Sequence, residues 1–177
     1  NHKGWHTIVG FHTRNIPHRG HEYIQKQAIE LTNADALFVS PVTGIKKSGD
    51  FNSDVIIGSY ELLINKGIYT PVDILLGSFN TYSRYCGPRE AVFTAICRKN
   101  YGCSHFIVGR DHTGVGNYYA DIDLKQIFSQ IDIGINILTF DPVFYSKKRK
   151  IITCEKINNE QESNNINISA TNIRELL

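Results

Sequence analysis

Short apolar runs alternate along the chain with longer amphipathic stretches. The runs are rich in Val, Ile, Leu and Phe, a composition typical of strands buried in a parallel sheet. They predict five strands, at residues 5–11, 36–40, 72–76, 105–108 and 134–139. Between most of them the pattern predicts helices, at residues 22–31, 54–65 and 88–100. Strands that alternate with helices predict an α/β fold: a doubly wound, Rossmann-like sheet of five parallel strands with helices on both faces.

The length of the chain, 177 residues, suits one domain, and we expect residues 1–177 to form it. The chain begins with Asn1 and contains no Met, so we expect this domain to be excised from a longer protein. Residues 155–167 are polar and rich in Asn, a composition that predicts a flexible loop.

Charge and composition narrow the classes of function. A formal net charge of +2 argues against nucleic acid as a partner. No apolar run approaches the roughly 20 residues that span a bilayer, and no charged-then-apolar leader is present. We therefore expect no membrane partner and a cytoplasmic location. The four cysteines form no CxxC pair, so neither a zinc knuckle nor a disulfide framework is predicted.

The most informative segment follows the first predicted strand, where residues 12–22 read HTRNIPHRGHE. His18 and His21 lie three residues apart, with Gly20 between them, just before a helix. Gly20 lets the backbone approach a phosphate, the helix N-terminus attracts anions, and imidazoles donate hydrogen bonds to phosphate oxygens. A metal-binding pair, or two histidines with structural hydrogen bonds, are the alternatives. The strand–turn–helix context, with Arg14 and Arg19 nearby, favours the phosphate site.

A second segment, residues 168–174, reads ISATNIR. Taken alone, its hydroxyl groups and the arginine one turn later are typical of a helix N-cap with a nearby cation. Together with HxGH in one α/β chain, it predicts the second half of a nucleotide site. Elsewhere, Arg98 and Lys99 are expected at a solvated helix end.

These two motifs together resemble the nucleotidylyl-transferase superfamily, which is marked by HxGH and a distal ISxTxxR. Residues 12–22 are similar to the ATP sulfurylase (sulfate adenylyltransferase) signature QxRNPxHRGHE. Residues 87–116 resemble the long block GPREA…RKNYG…IVGRDHAGxG of the same family. The resemblance runs from about residue 5 to the C-terminus, and it implies a nucleotidyltransferase catalytic domain. Members normally carry a further N-terminal domain.

The resemblance implies roles for individual residues. The catalytic residues are expected to be His18, His21, Arg14 and Arg110. Nucleotide contacts are expected from Thr13, Asn15, Gly20, Gly109, His112, Gly114, Ser169, Thr171 and Arg174. The oxyanion is expected at His12, Arg14, Arg110 and Thr113. No protein nucleophile or protein metal site is implied, and Mg²⁺ is expected to arrive with the nucleotide triphosphate. The cysteine cluster of some bacterial members is absent after Tyr145, so no zinc is expected.

Two departures from the family pattern lie at the expected oxyanion pocket. His12 replaces the signature Gln, and Thr113 replaces the Ala of GRDHAG. Three functions follow: adenylyl transfer from ATP to sulfate, the same transfer with another nucleotide or another oxyanion (a phosphonate or phosphate monoester), and a non-catalytic nucleotide-binding module. ATP, or another nucleotide, and a small oxyanion are thus the expected partners, and fused domains and a homo-oligomer stay open.

Overall fold

Five parallel strands form the central sheet of the computed structural model, which describes residues 3–109, 118–119, 122–154 and 165–168. The strands are β1 (Ile8–Thr13), β2 (Ala36–Pro41), β3 (Asp73–Leu76), β4 (His105–Val108) and β5 (Asn136–Thr139). Their order in the sheet is β3-β2-β1-β4-β5. All five predicted strands are present, and the doubly wound parallel topology is confirmed.

The first and last of these strands begin later than predicted. The amide groups of His6 and Thr7 donate to the Asp35 carboxylate at 2.7 and 2.8 Å. A side chain therefore replaces the neighbouring strand as their partner, and the ladder starts at Ile8. Before β5, Gly134 takes a φ of +69° and donates its amide hydrogen to Asp132 at 2.8 Å. This turn uses the first residues of the predicted strand.

Four helices connect or flank the strands in the described part of the chain. They are α1 (Arg19–Thr32), α2 (Ser53–Asn65), α3 (Pro88–Asn100) and α4 (Leu124–Ser129). The first begins three residues before the predicted start, because His18 caps its N-terminus. It ends at Asn33, whose left-handed φ of 48° terminates the helix. No helix among the described residues is long and apolar enough to cross a bilayer.

The helices cover both faces of the sheet, as predicted. Alternate strand residues point to opposite faces, so each face has its own core. On one face α1 and α2 pack over Val9, Phe11, Leu37, Val39 and Ile107. On the other face α3 and α4 pack over Phe106 and Val108.

A small antiparallel sheet lies beside this domain core and was not predicted. Its strands are β6 (Phe144–Ser146), β7 (Ile151–Thr153) and β8 (Asn165–Asn167), in the order β7-β6-β8. The predicted Asn-rich loop is wrong for residues 165–167, because their backbone pairs with β6 and satisfies its hydrogen bonds there. Helix α1 packs against β7, and Ile168, directly after β8, reaches the start of α1.

Two leucines test how much of the stability comes from the strand core. Leu37 is fully buried on the inner strand β2, whereas Leu31 on α1 is 67% exposed. We expect Leu37→Ala to lower the free energy of unfolding by about 2–5 kcal/mol, because it leaves a cavity in a packed core. Leu31→Ala is the matched control and should change it by less than about 0.5 kcal/mol. Urea denaturation measures both; equal losses would contradict this assignment of the core.

Candidate active site

The candidate site lies at the carboxyl ends of β1 and β4, which are neighbours at the centre of the sheet. From β1 the chain continues to β2 on one side, and from β4 it continues to β5 on the other. Parallel sheets bind ligands in the crevice that opens where the strand order reverses in this way. The segment of residues 12–22 therefore starts at the edge where a ligand is expected.

Thr13 shapes the turn that follows β1. Its side chain is 4% exposed, and its hydroxyl accepts a hydrogen bond from the Asn15 amide at 3.0 Å and donates to the Asn15 carbonyl at 3.1 Å. Asn15 Oδ1 is buried without a hydrogen-bond partner among the described residues. A buried acceptor of this kind calls for a partner that a ligand can supply. Nucleotide contacts by Thr13 and Asn15 stay predictions.

His18 is the N-cap of α1. Its backbone is extended, and its Nδ1 accepts hydrogen bonds from the amides of Gly20 and His21 at 3.1 and 3.3 Å. Since Nδ1 accepts, the proton of the neutral ring lies on Nε2. Burial lowers the pKa of His18 to about 4. At neutral pH, His18 is therefore an uncharged ring that keeps one N–H available for an anion.

His21 stacks on His18, with ring centres 3.7 Å apart and planes 23° from parallel. The edge of its ring packs on Phe11 at 5.3 Å. Burial, followed by the charge of His18, holds the pKa of His21 well below its usual value, and the Ile16 backbone opposes the shift. The Nδ1 atom of His21 is buried without a hydrogen-bond partner in the described part of the chain. The HxGH pair thus offers two neutral imidazoles side by side.

Gly20 is required by close packing from two directions. A Cβ atom there would lie 3.1 Å from the His18 ring and 3.2 Å from the Ile168 side chain. Its lack of a side chain therefore lets the chain after β8 approach the HxGH turn. Ile168 opens the second predicted motif, so the structure brings the beginning of that motif against the first one.

Arg14 forms an ion pair with Asp50, a residue that sequence reasoning missed. Both carboxylate oxygens accept from Arg14 Nη1, at 3.1 and 3.0 Å. The Asp50 side chain is fully buried, and that of Arg14 is 14% exposed. Tyr85 donates its hydroxyl hydrogen to Asp50 at 2.8 Å, and its ring lies 5.1 Å from the Arg14 guanidinium carbon. The sequence did place Asp50 in a Ser-Gly-Asp loop after the second strand, but nothing in that loop indicated Arg14 as its partner.

His12 faces a different arginine, Arg98. Its Nδ1 lies 2.7 Å from Arg98 Nη2. The expectation that Arg98 is solvated is wrong, since the residue is fully buried, whereas the exposed Lys99 is as predicted. Arg98 shares the sheet-facing side of α3 with the buried Ala91, Thr94 and Ala95, at helical spacing. Its side chain thus has the sheet, not solvent, in front of it.

Several predicted site residues lie outside the described residues. They are Arg110, His112, Thr113 and Gly114 after β4, and Ser169, Thr171 and Arg174 in the second motif. Gly109 is described: it is exposed at the end of β4, where an added Cβ would meet nothing. Within the described ranges, no three His, Cys, Asp or Glu side chains group as metal ligands. The roles of all these residues stay predictions.

Comparison with known proteins identifies the relatives of this chain. The family model ATP-sulfurylase matches residues 1–177. Sulfate adenylyltransferase of Pyrococcus abyssi (strain GE5 / Orsay) is 47% identical over 177 residues, covering 99% of this chain and 46% of the relative. Sulfate adenylyltransferase of Halothermothrix orenii (strain H 168 / OCM 544 / DSM 9562) is also 47% identical, with the same two coverages. The chain thus spans about half the length of these curated relatives.

Two further matches are longer proteins. The probable bifunctional SAT/APS kinase 2 of Sorangium cellulosum (strain So ce56) is 47% identical, with 99% of this chain covering 30% of that protein. Among solved structures, the hexameric APS kinase from Thiobacillus denitrificans superposes with a TM-score of 0.71 and 16% identity. That match covers 98% of this chain and 32% of the other, and it supports the fold alone.

Two glycine substitutions test the packing at Gly20. Gly20→Ala should destabilise the protein by about 1 kcal/mol although Ala is the better helix former, because His18 or Ile168 must move. Gly58→Ala in α2 is the matched control, since an added Cβ meets nothing within 4 Å there. It should stabilise by up to about 1 kcal/mol. Thermal unfolding compares them; equal stabilisation by both would show that the contacts at Gly20 are loose.

The lowered pKa of His18 predicts a pH-dependent stability. The unfolded ring takes up a proton near the ordinary pKa of 6.5, but the folded ring does so only near 4. The unfolded chain therefore binds more protons in this window, and the free energy of unfolding falls as pH falls through it. The contribution of one histidine reaches about 1.4 kcal/mol per pH unit. His18→Asn, which keeps an N-cap, should flatten the decline between about pH 6 and pH 5.

His6→Asn, which removes an exposed histidine, is the matched control for the loss of one imidazole. Urea unfolding at a series of pH values provides the slopes. An unaltered slope in His18→Asn would contradict a neutral, buried His18.

Proposed function

The chain belongs to the ATP-sulfurylase family, and from this we propose that the protein transfers the adenylyl group of ATP to sulfate, giving adenylyl sulfate and pyrophosphate. The observation that carries the proposal is the turn after β1. This turn carries the stacked, neutral imidazole rings of His18 and His21. It also carries Arg14, whose guanidinium group forms an ion pair with Asp50. These groups suit a reaction between two anions, which needs hydrogen-bond donors and positive charge but no protein nucleophile.

In the proposed reaction, a sulfate oxygen attacks the α-phosphorus in line. A new bond forms between that oxygen and phosphorus, the bond to the bridging oxygen breaks, and its electron pair leaves with pyrophosphate. His18 Nε2–H and an N–H of His21 donate to phosphate oxygens as charge builds on them. Because both rings are neutral and packed, they donate without a change of protonation. The N-terminus of α1 adds its dipole to the same anion.

Arg14 is proposed to bind the sulfate. Its contacts with Asp50 both use Nη1, so the ion pair orients the guanidinium group without using Nη2 or Nε. Arginine suits this task because its donors are planar and remain charged. Arg110, which follows β4 in the sequence, is proposed as the second sulfate ligand. Thr13, Asn15, Gly20, Gly109, His112, Gly114, Ser169, Thr171 and Arg174 are proposed to form the nucleotide site.

Mg²⁺ is proposed to enter with ATP. The HxGH turn and Arg14 present imidazoles and a guanidinium group, whereas Mg²⁺ prefers oxygen ligands. The buried Asp50 carboxylate is engaged by Arg14 and Tyr85. The phosphates of the nucleotide are thus the proposed ligands, and the ion neutralises part of their charge. A cytoplasmic location, fused domains and a homo-oligomer remain proposals from the sequence.

A second candidate is the same transfer to another tetrahedral dianion, a phosphonate or phosphate monoester. His12 favours it, because an imidazole in place of the family's Gln changes the reach and the number of donors toward the anion. A site that hydrogen-bonds one ligand discriminates strongly against another that leaves a partner unpaired.

Pyrophosphate release in the presence of Mg-ATP and sulfate is the first test. We expect sulfate-dependent release, and we expect His18→Ala to lower kcat by about 100-fold or more, the size typical of losing one oxyanion donor. His18→Asn separates two roles of the residue, since Asn can cap the helix but lacks the distal Nε2–H. It should keep the thermal stability and still lose the activity. Lys99→Ala, on an exposed side chain of α3, is the control.

Three other outcomes would contradict the proposal. Release with methylphosphonate or a phosphate monoester but not with sulfate would support the second candidate. Nucleotide binding without turnover of any anion would support a non-catalytic module. Full activity in His18→Asn would remove His18 from the reaction.

A further inference from the structure

Arg98 is a fully buried arginine that the proposed reaction does not use. Its Nη2 lies 2.7 Å from His12 Nδ1, and the guanidinium carbon lies 4.4 Å from the Phe79 ring centre. Its Nε and Nη1 atoms are buried without a hydrogen-bond partner in the part of the chain that the structure describes. A guanidinium in such a place requires an explanation, because burying a charge is expensive.

We propose that Arg98 is a positioning residue for the oxyanion: it holds His12 as a neutral donor whose Nε2–H points into the pocket at the end of β1. The proposal rests on the proposed function, since it assigns His12 to the anion site. The inference goes beyond the proposed function because it assigns a role to Arg98, which acts on the anion site through His12.

The chemistry of the pair sets which nitrogen carries the proton. Arginine has donors only, so His12 Nδ1 must be the acceptor of the 2.7 Å contact. The proton of the neutral ring then lies on Nε2. The arginine thereby selects one tautomer, as an outer partner often does for a ligand-binding histidine.

The path of the Arg98 side chain sets the direction of the ring. A Cβ atom on Gly10 would lie 3.3 and 3.4 Å from Arg98 Cγ and Cβ, so the stem of the arginine crosses β1 at Gly10. The head reaches His12, two residues further along the same face of the strand. The guanidinium therefore approaches the ring from the interior of the sheet. Because the two imidazole nitrogens face different directions from the ring, Nε2 is directed away from the guanidinium.

Phe79 holds both members of the pair. Its ring lies over the guanidinium and meets the His12 ring edge-on at 5.9 Å. The aromatic face stabilises the cation where no carboxylate does, since Arg98 forms no ion pair within the described residues. Its position in the last turn of α3 is also favourable for a positive charge.

The unbalanced charge adds a second effect on the anion. Burial lowers the pKa of Arg98 only to about 10, so the group stays charged at neutral pH. A dianion beyond His12 would provide the counter-charge that the described surroundings lack. Low-dielectric surroundings strengthen this attraction relative to water.

The tautomer of His12 is the first test, and it needs no altered arginine. Long-range proton–nitrogen NMR spectra distinguish a protonated nitrogen from an acceptor nitrogen in each ring, and His12→Gln identifies the His12 signals by their loss. We expect Nδ1 as the acceptor and a proton on Nε2, with a shift of the Nε2–H signal upon addition of sulfate. The opposite tautomer would overturn the proposal.

Steady-state kinetics form the second test. Arg98→Met should raise the sulfate KM about tenfold, the effect of misaligning a hydrogen bond to a charged group, with kcat and the ATP KM changed less than about twofold. In a His12→Gln background the same substitution should raise the sulfate KM by less than about threefold, because the arginine acts through His12. Arg98→Lys keeps the charge and serves if Arg98→Met fails to fold; Lys99→Met is the surface control.

The outcomes separate the two proposals. An equal rise in the sulfate KM with and without His12 would overturn the positioning role while leaving the sulfurylase reaction intact. If the wild-type protein releases no pyrophosphate with sulfate, the proposed reaction fails. The role of Arg98 is then decided by titrating the His12 Nε2–H signal with sulfate, inorganic phosphate and methylphosphonate. No shift with any of them would overturn it as well.

Discussion

The pairing of β1 with β2 on one side and β4 on the other is the constraint on which the site depends. It places β1 at the centre of the sheet, with its carboxyl end at the crevice. Because successive side chains of a strand alternate between the two faces of the sheet, the residues at this end fall into two groups, one on each face. The His18–His21 pair lies on the α1 face, against Phe11, and His12 lies on the α3 face, against Arg98. A ligand over the end of β1 is thus within reach of donors from both faces.

The charges at this end are carried by arginines, and the described histidines of the HxGH turn are neutral. Packing explains why these histidines are neutral: the two rings are stacked and buried, and such rings do not readily take up protons. The two described arginines differ in their surroundings. Arg14 has a buried carboxylate beside it, whereas Arg98 has an aromatic ring and an imidazole. One guanidinium is therefore compensated before any ligand arrives, and the other is not.

The sheet and its helices follow from periodicity, so the sequence predicts them well, and the HxGH turn lies where the motif predicts. Contacts between distant residues are different. Asp50 is 36 residues from Arg14, and no local pattern joins the two. Arg98 was expected in solvent because Lys99 follows it at the end of the helix. Its side of the helix also carries Ala91, Thr94 and Ala95, at the spacing typical of a buried face. The strands β6 to β8 have three residues each, too few for an alternating pattern.

The ion pair between Arg14 and Asp50 also limits how this site can change over evolutionary time. Replacing the arginine alone removes the guanidinium from a fully buried carboxylate, and breaking a buried pair in this way costs about 3–5 kcal/mol. That is a large share of the roughly 5–15 kcal/mol by which a domain is stable. A lineage in which the proposed anion site fell out of use could therefore lose Arg14 at little cost only together with Asp50. Foldability alone would preserve this arginine for some time after selection for any ligand at this site had ended.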